Sequence, residues 1–138
     1  MRYDLLNGAN LAYIGDAYYE LTIRKYLIDK GITKNHELKK RSLKFVSASS
    51  HERIFNSIKE QLTEEEMQVF MRGRNHAPSG YRKNVDKGSY VISTGLEAII
   101  GYWYLLGNKE RLDYLMKLII EKGEESWSYL VKMLLEKL

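Results

Sequence analysis

The chain contains no cysteine, a single proline and no apolar run long enough to span a bilayer. Each absence excludes something. Without cysteine there is neither a disulfide nor a thiolate metal site, so any metal must be held by oxygen or imidazole. The lone proline, Pro78, leaves the rest of the chain free to form long helices. A membrane-spanning helix needs about 20 consecutive apolar residues, and no such stretch occurs. The opening residues MRYDLLNGAN lack the basic and apolar regions of a secretory leader. A cytoplasmic location is the expectation that follows. What the 138 residues do hold is 44% hydrophobic and 29% charged side chains, a balance that supports a folded core rather than disorder. One domain over residues 1–138 is expected at this length.

The net charge of +4 is modest, but its distribution is uneven. Between Lys34 and Lys59, seven basic residues, among them Lys39, Lys40, Arg41 and Lys44, face only Glu37 and Glu52. From Arg72 to Lys87 the basic residues Arg72, Arg74, Arg82, Lys83 and Lys87 face Asp86 alone. From Asn108 onward the charges cancel. The positive excess therefore lies in the middle of the chain.

Apolar residues recur at helical spacing almost everywhere, and no alternating strand pattern is visible. A first helix is expected from about Asn7 to Lys30, with Leu11, Ile14, Tyr18, Leu21 and Ile28 as its apolar stripe and Gly31 as its C-terminal stop. Asn35 is expected to cap a second helix through Phe45. Ser47–Ser50 breaks it and starts a third helix ending near Leu62. Thr63 and Glu66 form a capping box for a fourth helix reaching about Arg74. Residues 75–88, NHAPSGYRKNVDKG, read as a loop, and loops of this length in compact domains are usually functional or disordered. A fifth helix is expected from about Ser89 to Leu106, with Ile92, Leu96, Ile99 and Trp103 on one face. Asn108 caps a sixth that Gly123 ends after Lys122. A last helix carries Trp127, Leu130, Val131, Leu134 and Leu138.

Two acids stand out by their surroundings. Asp16 sits in LAYIGDAYYE and Glu97 in STGLEAIIGYWYL, both apolar, aromatic helices. Gly15 and Ala17 flank the first, and Gly95, Ala98 and Gly101 surround the second. Small residues let two helix backbones approach closely and shield an acid from water. An ionised carboxylate so placed needs a cation or several donors. A divalent ion shared by both acids would satisfy them, and Mg²⁺ favours oxygen ligands plus water. The plainer reading is that such acids are solvated or paired, as Glu20 is placed to pair with Arg24 one turn on.

The same segments resemble a known family. LAYIGDA is similar to the compact form of the ribonuclease III signature, an apolar helix carrying a Gly-Asp step. STGLEAIIGYWYL resembles the second signature helix, in which a glutamate precedes an Ala-apolar-apolar-Gly run. RGRN at Arg72–Asn75, the long basic loop with Lys83-Asn84, TEEE at Thr63–Glu66 and the Lys-rich second helix leading to Val46-Ser47-Ala48 resemble the Mini-ribonuclease III family in particular. The likeness runs along nearly the whole chain, in order.

This resemblance implies an all-α ribonuclease III endonuclease fold, homodimeric, that cleaves double-stranded RNA with Mg²⁺, or Mn²⁺ in its place. It implies a substrate in precursor large-subunit (23S) ribosomal RNA, and it admits a large-subunit ribosomal protein as an accessory partner. The family's catalytic, metal-binding aspartate maps onto Asp16 and its metal-binding glutamate onto Glu97. Longer ribonucleases III carry further acids where this chain has Ala12 and Thr94, which favours one ion per site over two. They also carry a separate RNA-binding domain that is not found here, so the catalytic domain must grip the duplex itself. A-form RNA is read by shape, phosphates and 2′-hydroxyls. Arg72, Arg74, Arg82 and Lys83 are the expected phosphate contacts, with His76 as a further donor. Two rival readings are a non-catalytic RNA-binding member of the same fold and a helical scaffold whose basic face meets acidic protein.

Overall fold

The computed structural model describes residues 1–77 and 86–138, and of residues 126–130 the backbone alone. A 3-10 turn at Tyr3–Leu5 leads into α1 (Gly8–Asp29). Then come α2 (Asn35–Val46), α3 (Ala48–Ile58), a second 3-10 turn (Lys59–Gln61), α4 (Glu64–Asn75), α5 (Lys87–Leu106) and α6 (Lys109–Glu136). The described residues contain no strand, as the helical periodicity predicts.

Helix boundaries follow from local chemistry. The Asn7 side chain accepts from the Asn10 amide at 2.8 Å and starts α1. At its other end Gly31 takes φ +91°, where the Ile32 amide reaches the Leu27 carbonyl at 3.2 Å and the Gly31 amide the Ile28 carbonyl at 2.9 Å. That is the paired bond of a Schellman stop, for which glycine is the least strained residue. Ser47 caps α3, and Thr63 with Glu66 forms the expected capping box on α4. Asp86 caps α5 through the Ser89 amide at 3.0 Å, and the Ser89 hydroxyl donates to Glu52 on α3.

Three expectations need correction. Asn35 is the first residue inside α2 and not its cap; Lys34 holds that position without a side-chain bond. Gly123 does not end a helix, because α6 runs unbroken from Lys109 to Glu136. The glycine is there for space: a Cβ at Gly123 would stand 2.5 Å from the Phe45 ring. The apolar stripe of α1 is also rotated from the expected one. Leu21 and Ile28 are 66% and 54% exposed, whereas Leu11, Gly15, Tyr19, Ile23 and Leu27 are buried. The glycine-bearing face is the one that α5 approaches, and this turns Leu21 and Ile28 outward.

Helix α5 is the central element, packed on α1, α3, α4 and α6, with α1 its most extensive neighbour. Its stretch from Ser93 to Trp103 is buried apart from Glu97, which lies partly open on the rim. One buried charge outside the groove is fully matched. Glu66, 0% exposed, receives two 2.7 Å bonds from the Arg111 guanidinium and one of 2.8 Å from Trp103 Nε1. Burial pushes its carboxyl upward, but these bonds and the Thr63 amide outweigh that and hold it below the usual carboxylate range.

Candidate active site

The site is built at the crossing of α1 and α5, where neither backbone could tolerate a side chain. A Cβ on Gly15 would fall 1.8 Å from the Glu97 carbonyl oxygen, and one on Gly101 would fall 1.9 Å from that of Leu11. Two bare glycines thus let the helices touch backbone to backbone. Asp16 follows the first glycine directly, and Glu97 lies one turn before the second. The close crossing brings both side chains to one groove of about 660 Å³, shared with Glu20, Lys39, His51 and Ser93. The expected close approach of the two backbones is present, but the expected shielding holds for Glu97 only, because the Asp16 side chain is exposed.

The two acids are electrostatically unequal. Asp16 lies on the exposed side of the groove. Glu97 is partly withdrawn from water and shares the groove with the carboxylates of Asp16 and Glu20. Loss of solvent, then the Asp16 carboxyl, then the Glu20 charge push its own carboxyl from 4.5 up to about 9. The Ser93 hydroxyl, donating to Glu97 Oε1 at 3.1 Å, pulls only weakly the other way. No ion pair to Asp16 or Glu97 forms among the described residues, whereas Glu20 is bridged to Arg24 at 3.0 Å. A partly buried carboxylate facing a second one, with no ion pair to either among the described residues, is the kind of arrangement that a bound metal ion satisfies.

Behind Glu97 lies a residue that sequence reasoning passed over. His51, on α3, is 3% exposed, and its Nδ1 stands 2.5 Å from the Ser93 hydroxyl. Burial depresses the imidazole to about 4, against the upward pull of Asp16 and of the Phe45 carbonyl, so the ring is neutral at physiological pH. The Tyr19 ring packs edge-on against it at 4.6 Å, and the Tyr19 hydroxyl is anchored on the Phe45 carbonyl at 2.6 Å. A signal was present in the chain: His51, Ile54, Phe55 and Ile58 keep the spacing of one buried helix face. Ser93 is one turn before Glu97 on the same face of α5.

The expected RNA-contacting residues fare differently from one another. The Arg72 guanidinium is turned inward, donating to the carbonyls of Asp4 (3.1 Å) and Leu6, and so pins the N-terminal turn to α4. Arg74 is exposed at the end of α4. His76 is exposed as well, its Nδ1 donating to the Arg72 carbonyl at 2.9 Å. Arg82 and Lys83 lie outside the described residues. At the two positions where longer relatives carry acids, Ala12 is packed in the core and the Thr94 hydroxyl donates to the Tyr90 carbonyl at 3.0 Å.

The helical fold is that of a hydrolytic nuclease of the ribonuclease III type, and comparison with known proteins shows the family. The family model described as the ribonuclease III domain matches residues 9–108. The chain is 44% identical over 122 residues to Mini-ribonuclease 3 of Clostridium tetani, covering 88% of this chain and 81% of that protein. It is 42% identical over 123 residues to Mini-ribonuclease 3 of Streptococcus pneumoniae, covering 88% and 96%. A crystal structure of protein FN1578 from Fusobacterium nucleatum superposes with a TM-score of 0.75 at 32% identity, covering 85% of this chain and 93% of that one. The chain belongs to the Mini-ribonuclease III family, and it is an endoribonuclease, a phosphodiester hydrolase. No helix among the described residues is long and apolar enough to cross a membrane.

Proposed function

We propose that this endoribonuclease cuts double-stranded RNA with a divalent ion, Mg²⁺ or Mn²⁺, held by Asp16 and Glu97, and that its substrate is precursor 23S ribosomal RNA. The observation that carries the reading is the juxtaposition of these carboxylates without a matching cation. Their chemistry suits the ion. Both ligands are hard oxygens, and Mg²⁺ typically takes one or two carboxylates and keeps several waters. A groove open on the Asp16 side leaves room for those waters and for a phosphate. The engagement of Thr94 and the burial of Ala12, where longer relatives carry acids, favour one ion per site. When bound, the ion supplies acidified water and charge stabilisation at the leaving oxygen.

The chain's own residues do the rest. Asp16 and Glu97 fix the position of the reacting phosphate relative to the two helices. Lys39, exposed on α2 and lining the same groove, offers a positive charge to the backbone of an entering strand. Arg74 and His76, exposed at the end of α4, and Arg82 and Lys83, which lie outside the described residues, are the further candidates for phosphate contact. Because Arg72 already serves the N-terminal carbonyls, we assign it to holding α4 in place rather than to phosphate. Such contacts read backbone and shape rather than sequence.

The working unit is a homodimer in the cytoplasm, with a large-subunit ribosomal protein as accessory partner. Tyr13, Leu21 and Tyr104, exposed to 83%, 66% and 48%, offer apolar surface for the second subunit. By contrast Tyr19 and Tyr102 belong to the core. The experiment is incubation of the purified chain with long double-stranded RNA. Fragments should form with Mg²⁺ and not with chelator, and single-stranded RNA of the same sequence should survive. Cleavage that persists in chelator, or that ignores strandedness, overturns the proposal.

A further inference from the structure

We infer that His51 and Ser93 are positioning residues for Glu97, forming a buried relay from His51 Nδ1 through Ser93 Oγ to Glu97 Oε1 that fixes the direction in which the carboxylate meets a divalent cation. This rests on the metal reading above and adds to it two residues that touch neither the ion nor the RNA.

The direction of the relay follows from proton counting. A carboxylate in its ion-binding form is an acceptor only. The single Ser93 proton must then point at Glu97 Oε1, 3.1 Å away. Ser93 Oγ is left with lone pairs, and the contact at 2.5 Å requires His51 Nδ1 to be the donor. In a neutral imidazole that leaves Nε2 unprotonated. Nε2 is the one buried side-chain nitrogen or oxygen among the described residues without a hydrogen-bond partner. The short contact to Ser93 thus sets the Nδ1-protonated tautomer. Every member of the relay is therefore satisfied only when Glu97 is an acceptor.

The relay is also rigid. Ser93 is 8% exposed and His51 3% exposed. The imidazole is held by the Tyr19 ring and cannot swing. With Oε1 held from behind by Ser93, Glu97 Oε2 is the oxygen left for the ion. A glutamate otherwise has three torsions to order on binding, and each ordered torsion opposes binding. Partners that orient ligands in this way typically raise metal affinity by about 10–100-fold.

The test is a Mn²⁺ titration of the RNA-free protein, followed by electron paramagnetic resonance, with helicity checked by circular dichroism for every variant. Wild type should bind, and Asp16→Asn should abolish binding. Ser93→Ala and His51→Phe should stay folded and bind about 10–100-fold more weakly. His51→Asn, whose amide N–H can occupy the place of Nδ1–H, should recover most of the loss. A merely packed histidine predicts the reverse order, with phenylalanine harmless to binding and asparagine harmful to stability. Should His51→Phe fail to fold, Ser93→Ala carries the measurement alone, since it removes one oxygen. Wild-type affinity in a folded His51→Phe or Ser93→Ala overturns the inference while leaving the metal reading intact. So does an Asn variant as weak as the Phe variant. If the wild type binds no Mn²⁺, or Asp16→Asn binds as wild type does, the metal reading falls and the inference with it.

Discussion

Without metal, the groove should make the protein lose stability as pH rises through the neutral range, and an ion or one substitution should cancel the loss. The Glu97 carboxyl goes from 4.5 in the unfolded chain to about 9 in the folded one. Between those values the folded state holds one proton that the unfolded state has released. Stability then falls with rising pH, by about 1.4 kcal/mol per unit for a full proton. His51 works with the opposite sign. Its folded value of about 4 lies below the unfolded 6.5, so it removes stability only as pH falls through that lower window. From about pH 6.5 to about 8.5, Glu97 therefore dominates, and the metal-free protein should lose up to about 2.5 kcal/mol, with His51 returning under about 0.5. Urea melts in chelator at several pH values give the slope. Saturating Mg²⁺ should flatten it, because the ion stabilises the ionised carboxylate, and Glu97→Gln should flatten it without metal. A metal-free wild type whose stability does not fall over this range, or a Glu97→Gln variant with the wild-type slope, would refute the argument.

Other outcomes follow from the same geometry. Gly15→Ala puts a methyl group 1.8 Å from the Glu97 carbonyl oxygen. Overpacking usually costs about 1–3 kcal/mol, and a clash with backbone belongs at or above the top of that range, so thermal denaturation should show a large loss or no folded protein. Replacing Arg82 and Lys83 together by Ala should weaken duplex binding equally across sequences and reduce its salt dependence by about two phosphate contacts; a titration at several salt concentrations in a cleavage-dead background reads both. Sedimentation in the micromolar range should show a dimer, and a fully active monomer would contradict the proposed assembly.

Most helix ends were legible because capping chemistry is local, although the count was one too high, since the last two expected helices are one. Ser47, Thr63 with Glu66, Asn108 and Gly31 each act within a few residues of themselves. Gly123 misled for the opposite reason: the ring that forbids its side chain, Phe45, is distant in sequence. The apolar stripe of α1 misled in the same way, since which face is buried depends on where α5 crosses, and only Gly15 against Gly101 settles that. Within the site, Asp16 and Glu97 were visible because each sits in an apolar helix beside small residues. His51 was not, because a histidine gains its role here from Ser93 on another helix, and periodicity shows burial without showing the partner. Arg72 illustrates the converse: in the sequence it belongs to a basic run, but the fold gives its guanidinium two backbone carbonyls.

The measurement closest to the central claim pairs cleavage with binding in one substitution. Asp16→Asn keeps the shape of the side chain and removes the charge that faces the groove. With Mg²⁺ and long double-stranded RNA, the variant should cut slower than wild type by orders of magnitude, while fluorescence anisotropy shows duplex affinity equal to or above the wild-type value. A folded Asp16→Asn protein that cuts at close to the wild-type rate would contradict the account.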